Sequence, residues 1–349
     1  MPRLQAFLAV LAALPLLLST ASADGRIESF TLTSMSFEGN LIGVNPERSV
    51  RVYLPEGHGR GRQRFPVIYT LHDFFEREGT IFDDHRFGDL LDDAIEEGRM
   101  PKAIVVSADF STPVANSLYT NSPVTGDWRT FMVEELVPAI DRRYRTLAKR
   151  EARGLLGYHI GGYGAIRFAA RHPDVFGSVY ALHPVATGIG YVVRVDRPNW
   201  QRLQETPSLE DLKGDFMAEI FTSIFQAHTP NPDKPPLFID QYARMEDGEL
   251  IFDTVTSRRF YDSFFLEAEI PQFAEALNSL VAFKFDWGRH DPNQDHVVAN
   301  EYYSKKLRQF GVRHEAEEYQ GGWGDKTWDE GGRVETDVFP FFKQHLATE

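Results

Sequence analysis

Short apolar runs, set between polar segments rich in glycine and proline, recur along the chain at the length of buried strands. Phe65-Pro-Val-Ile-Tyr-Thr-Leu-His72 and Ala103-Ile-Val-Val-Ser-Ala108 are two such runs, and Val50-Arg-Val-Tyr-Leu54 alternates before stopping at Pro55. Gly154-Leu155-Leu156 and residues 175–182, 280–285 and 314–319 complete the set of expected strands. Between them, apolar positions take helical spacing over residues 87–97, 131–144 and 300–310, the last stopped by Gly311, and a closing helix is expected over 338–346. Strands alternating with helices predict an α/β fold, with a mostly parallel central sheet and helices on both faces. Residues from about 185 to 275 break the rhythm with aromatic and proline-rich stretches such as Asn231-Pro-Asp-Lys-Pro-Pro236. An insertion there, between late strands, lies above the strand C-termini, where it can act as a lid over a pocket. The other reading is a packed surface excursion with no part in binding.

The N-terminus changes this picture first. Arg3, an apolar run from Leu4 to Leu18 and Ala21-Ser22-Ala23 form the three parts of a secretory signal. Cleavage is expected after Ala23, leaving residues 24–349 as one exported domain, secreted or periplasmic. The apolar run is too short for a spanning helix. The chain has no cysteine among its 349 residues, which excludes disulfides, thiolate catalysis and cysteine-based metal sites. Its net charge of -14 is spread along the chain and argues against nucleic acid or an anionic membrane as partner. No organic cofactor motif is present, and none is expected to bind.

Candidate chemistry centres on Gly154-Leu-Leu-Gly-Tyr-His-Ile-Gly-Gly-Tyr-Gly-Ala-Ile-Arg-Phe-Ala-Ala-Arg-His-Pro173. This is the layout of a nucleophile elbow, a strand turning sharply into a helix with one side chain at the apex. Gly157 and Gly161 flank the apex, Gly162 and Gly164 allow close helix packing, and the apex itself is His159. Histidine tolerates the positive φ that such an apex demands.

With the elbow, the segments Phe37-Glu-Gly-Asn-Leu-Ile, Ser49-Val-Arg-Val-Tyr-Leu-Pro, Tyr119-Thr-Asn-Ser-Pro-Val-Thr-Gly and Phe339-Pro-Phe-Phe resemble the esterase D-like branch of the α/β-hydrolase fold. That branch includes feruloyl-esterase-like and mycolyltransferase-like proteins. The resemblance implies a serine at the apex, an acid after a late strand, a histidine after the last strand and two backbone N–H groups for the oxyanion. Here the apex is His159, and the acid maps to Asp291. The histidine position falls in Tyr319-Gln-Gly-Gly-Trp323, where this chain has Trp323. The N–H donors map to Ile160 and to the Asp73-Phe74 loop, where relatives carry glycine.

Each departure acts on chemistry. No hydroxyl is available to form an acyl-enzyme, no histidine at 323 takes its proton, and Asp73 adds a negative charge where an oxyanion would form. Two readings follow. In one, the chain is a ligand-binding pseudo-hydrolase that holds an ester-like, lactone, sugar or phenolic small molecule, with Trp323, His290 and His72 around the pocket. In the other it is a rewired hydrolase of reactive esters or lactones, with His159 as nucleophile or general base and Asp291 or Asp73 orienting its ring. A third arrangement, a metal held among His72, Asp73, His159, His290 and Asp291, lacks any recognised ligand spacing.

Overall fold

The structure is a computed structural model that describes residues 25–189 and 198–349; the expected signal segment 1–23 lies outside them. An eight-stranded sheet runs in the order β1 (Arg26–Thr33), β2 (Glu47–Leu54), β4 (Ile104–Ala108), β3 (Val67–Leu71), β5 (Arg153–Tyr158), β6 (Ser178–Leu182), β7 (Ala282–Gly288), β8 (Glu315–Tyr319). β1 and β2 pair antiparallel with each other, and β2 pairs antiparallel with β4; every other pairing is parallel. β3, β4 and β6 are buried along their whole length, as continuous apolar runs require in a sheet covered on both faces.

β1 escapes the hydrophobic pattern because it is an edge strand with no fully buried residue. Its register on β2 runs from Arg26 opposite Leu54 to Thr33 opposite Glu47. Helices α1 (Phe87–Glu96), α2 (Val137–Arg143), α3 (Ile160–Arg171) and, further on, α8 (Gln294–Gln309) and α9 (Phe339–His345) cover the sheet. α8 starts six residues before the expected position. Its first turn, Gln294-Asp295-His296, is polar and carries no apolar spacing.

The described residues between β6 and β7 carry regular elements of their own. They form α4 (Trp200–Glu205), α5 (Phe216–His228), α6 (Thr254–Phe264) and α7 (Leu266–Asn278), with a small hairpin of Ala243–Glu246 and Glu249–Phe252. Aromatic packing holds this unit: Tyr242 lies with ring centroids 4.9 Å from both Trp200 and Phe260, and Phe260 lies 5.0 Å from Phe264. Two buried ion pairs tie it to α3, with Arg167 and Arg171 at 2.8 and 2.6 Å from Glu269 of α7. The helix after the elbow therefore anchors the structure above it.

Candidate active site

The elbow geometry follows from its glycines. A Cβ on Gly157 would overlap the Gly161 carbonyl, and one on Gly161 would overlap the Leu71 carbonyl at the end of β3. With backbones this close, the chain turns from β5 into α3 within one residue. That residue is His159, at φ +53° and ψ -114°. Its N–H donates to the Leu182 carbonyl at 3.0 Å, which fixes the turn over β6. The imidazole is thereby lifted above the C-terminal edge of the sheet, into the cavity.

Its partner is Asp73. His159 Nδ1 and Asp73 Oδ1 lie 2.9 Å apart. The loop bearing Asp73 is clamped from below by His72. Phe110 N–H donates to His72 Nε2 at 2.9 Å, so Nδ1 carries the ring proton and donates to the Asp73 carbonyl at 2.8 Å. Burial works against both charges, yet the mutual attraction and hydrogen bond outweigh it. The Asp73 carboxyl is held below its ordinary range and the His159 imidazole above its own. The backbone N–H groups of Phe74 and Ile160 also favour the charged Asp73 carboxylate and lower its pKa further. These are the two donors that the sequence assigns to an oxyanion. In this chain their dipoles already act on a side chain of the protein itself.

Asp291 stands apart from that pair. It is fully buried and accepts from His183 Nε2 at 2.8 Å, from His296 Nδ1 at 2.8 Å and from the Asn293 N–H at 2.7 Å. Burial raises its pKa, but the His183 and His296 hydrogen bonds prevail and hold it well below the carboxylate range. His183 also accepts from the Gly288 N–H through Nδ1 at 3.1 Å, so both of its nitrogens are engaged. Of the two acids expected to orient the His159 ring, Asp73 is the one beside it, and Asp291 bonds His296 instead.

His296, in the first turn of α8, was not among the sequence candidates. Its ring lies edge-on to His159 with centroids 5.7 Å apart, and Nε2 has no hydrogen-bond partner among the described residues. The spacing Asp291-Pro-Asn-Gln-Asp-His296, with the histidine opening a helix, was the available signal. A histidine therefore does sit on the mapped acid, arriving from α8 rather than from the segment after β8. Trp323 occupies that segment. Its ring stacks on Tyr158 (5.8 Å, 24°) and leans on His159 (5.1 Å, 33°) while remaining 39% exposed.

Asp73, Phe74, His159, Ile160, His296 and Trp323 share the floor of a cavity of about 680 Å³, roofed by aromatic residues of α5, α6 and the hairpin such as Phe216, Phe260 and Phe252. His72 and His290 do not line it. His72 is buried beneath the loop, and His290 is exposed and paired with Gln320 at 3.0 Å. The five residues considered for a metal do not converge. Among the described residues, His183, Asp291 and His296 do bring donor atoms within 4.8 Å of one another. These three already bond one another, His183 Nε2 and His296 Nδ1 both on Asp291 Oδ2, while the Gly288 N–H holds His183 Nδ1.

A family model described as "Putative esterase" matches residues 43–215. Over 149 residues the chain is 29% identical to an esterase of Mycobacterium tuberculosis, a match covering 41% of this chain and 30% of that one. It is also 29% identical over 157 residues to an endo-1,4-beta-xylanase/feruloyl esterase of Xylanibacter ruminicola, covering 44% of this chain and 21% of the relative. The matches thus span less than a third of these longer relatives. Among solved structures, a ferulic acid esterase superposes with a TM-score of 0.62 at 18% identity, covering 93% of this chain and 99% of the other. An S-formylglutathione hydrolase from Agrobacterium tumefaciens does so at 0.58 and 13% identity, covering 93% and 97%. The sheet order, the elbow and these likenesses agree: the chain has the α/β-hydrolase fold, and residues 43–215 of it resemble an esterase family.

Proposed function

We propose that this chain is a ligand-binding protein on a hydrolase frame, and that serine-type acyl transfer is not among its activities. The observation that carries this reading is the Asp73 carboxylate, which pairs with the His159 ring at 2.9 Å while the N–H groups of Phe74 and Ile160 favour its charge. An oxyanion hole accelerates acyl transfer only if its donors are free to meet the developing charge. Here a fixed negative charge meets them first, and the apex has no hydroxyl to attack with. What persists is an aromatic cavity suited to a small ligand. Solved feruloyl esterase structures titled as complexes with ferulic acid and sinapinate support a ring-bearing ligand for this fold. The exported location expected from residues 1–23 belongs to the same proposal, with the mass of the mature N-terminus as its check.

A second reading rests on a separate observation, the open Nε2 of His296 above Asp291. In it, His296 Nε2 accepts a proton from water, whose oxygen attacks a lactone or activated ester carbonyl. The carbonyl oxygen gathers charge against the Nε2–H of a protonated His159. The C–O bond then breaks, and the leaving oxygen takes the proton back from His296.

One experiment separates the two. A panel of p-nitrophenyl esters and lactones is assayed with the wild-type protein, His159→Ala and His296→Ala, beside thermal melts with apolar aromatic ligands. The binding reading expects no turnover above the variants and a melting point that rises with ligand concentration. Turnover that is lost in both variants supports the hydrolytic reading instead.

A further inference from the structure

Two histidines line the cavity, each backed by a carboxylate. His159 Nδ1 lies 2.9 Å from Asp73 Oδ1, and His296 Nδ1 lies 2.8 Å from Asp291 Oδ2. Their ring centroids are 5.7 Å apart. Nε2 of each ring has no hydrogen-bond partner among the described residues, yet neither atom is sealed inside the protein. Both therefore remain open to a ligand.

The two rings are not equivalent. A carboxylate can only accept, so Nδ1 is the donor in both pairs. Burial opposes the charge of His159, but Asp73 outweighs it and favours a second proton, at Nε2. Asp291 is shared between His296 and His183, and His183 stays neutral because its Nδ1 accepts the Gly288 N–H. A second imidazolium 5.7 Å from the first would be repelled. His296 is thus the base of the pair, with a lone pair at Nε2, and His159 is the acid. Environments that set two titratable groups apart in this way assign the two roles.

An acid and a base without a hydroxyl nucleophile between them suit proton transfer at carbon. Water attack on a carbonyl would build a tetrahedral oxyanion that calls on the Phe74 and Ile160 N–H groups, whose dipoles already act on Asp73. An enolate shares its charge with carbon, so one strong donor serves it. The outer carbon and the oxygen of a C–C=O unit lie about 2.4 Å apart. With about 3 Å for each contact, one such unit can reach both rings. Among the described lining residues there is no lysine or arginine, and Asp73 matches the charge of His159, so the carbonyl belongs to a neutral molecule.

We propose that the cavity interconverts the keto and enol forms of neutral aromatic ketones, with His296 as base and His159 as acid. His296 Nε2 takes a proton from the carbon beside the carbonyl. The C–H electron pair becomes the C=C bond, and the carbonyl π pair moves onto oxygen against His159 Nε2–H. Transfer of that proton to oxygen yields the enol, whereas return of the His296 proton to carbon restores the ketone. The side chain of His296 is 24% exposed, so its proton exchanges with solvent between turnovers. This activity goes beyond the binding function proposed above and rests on it for the ligand.

The test uses 2-tetralone, a neutral aromatic ketone, in deuterium oxide at neutral pH. Proton NMR follows the loss of the hydrogens beside its carbonyl, and calorimetry measures its affinity for the same protein. Exchange should run about a hundredfold faster with wild-type protein than in buffer. His296→Ala should fall to the buffer rate while binding the ketone within about threefold of wild type, and His296→Gln should behave alike. His159→Ala, which keeps the base, should retain about a tenth of the acceleration. Ketone that binds without faster exchange, or exchange unchanged in the His296 variants, overturns the proton transfer while the binding function stands. Affinity lost together with exchange in both His296 variants makes His296 a wall of the cavity and overturns its role as base. Ketone that neither binds nor exchanges removes both proposals.

Discussion

His159 and Asp73 are the residues on which the chemistry turns, and each holds the other's charge. The imidazole's pKa lies above its ordinary value in the folded protein, so the pair's contribution from His159 is complete below about pH 6.5 and fades as pH rises through the folded pKa. The carboxylate's pKa is depressed, so its contribution is complete above about pH 4 and fades as pH falls through the folded value. Between those limits both are present. An NMR titration of the His159 ring should therefore show a midpoint above 6.5, and a lower one in Asp73→Asn. A His159 midpoint at or below 6.5 in the wild-type protein would show that the ion pair does not form. Sequence reached His159 and Asp73 because both occupy positions fixed by backbone glycines and strand ends. It missed His296 because its importance comes from a helix start that no apolar spacing announces, and from a carboxylate whose two histidine partners converge only in the fold.

At the scale of elements, the buried strands were legible because an apolar run covered on both faces leaves few alternatives. The edge strand β1 and the first turn of α8 were not, since neither carries a continuous apolar signature. The aromatic stretch between β6 and β7 announced an interruption but not the helices α5 to α7, which pack through rings contributed by distant positions. The elbow is the element most tightly written into the sequence. Replacing Gly161 with alanine would place a methyl group against the Leu71 carbonyl, backbone that cannot yield without breaking β3. Gly161→Ala should lose about 3 kcal/mol or more of stability, or fail to fold, in denaturant unfolding. Gly59→Ala, whose added carbon meets nothing within 4 Å, should stay within about 0.5 kcal/mol of wild type. Equal stability of the two variants would mean that the close approach at the elbow is absent.

The whole molecule keeps the α/β-hydrolase frame while changing what that frame presents. α3 begins at the elbow and carries, further along, the two arginines that bind Glu269 of the roof. The elbow and the roof are thus one packed unit, and a cavity lies between them although the apex has no hydroxyl. Among the described residues no helix is long and apolar enough to cross a membrane. The account depends on the Asp73 carboxylate filling, from within, the place that a ligand's oxygens would otherwise take. The most direct measurement is the affinity of ferulate for the wild-type protein and for Asp73→Gly, by titration at pH 6. With the carboxylate removed, the Phe74 and Ile160 N–H groups and the His159 ring are free to hold an acid, and affinity should rise about tenfold or more. Wild-type protein that binds ferulate as tightly as Asp73→Gly would contradict the account.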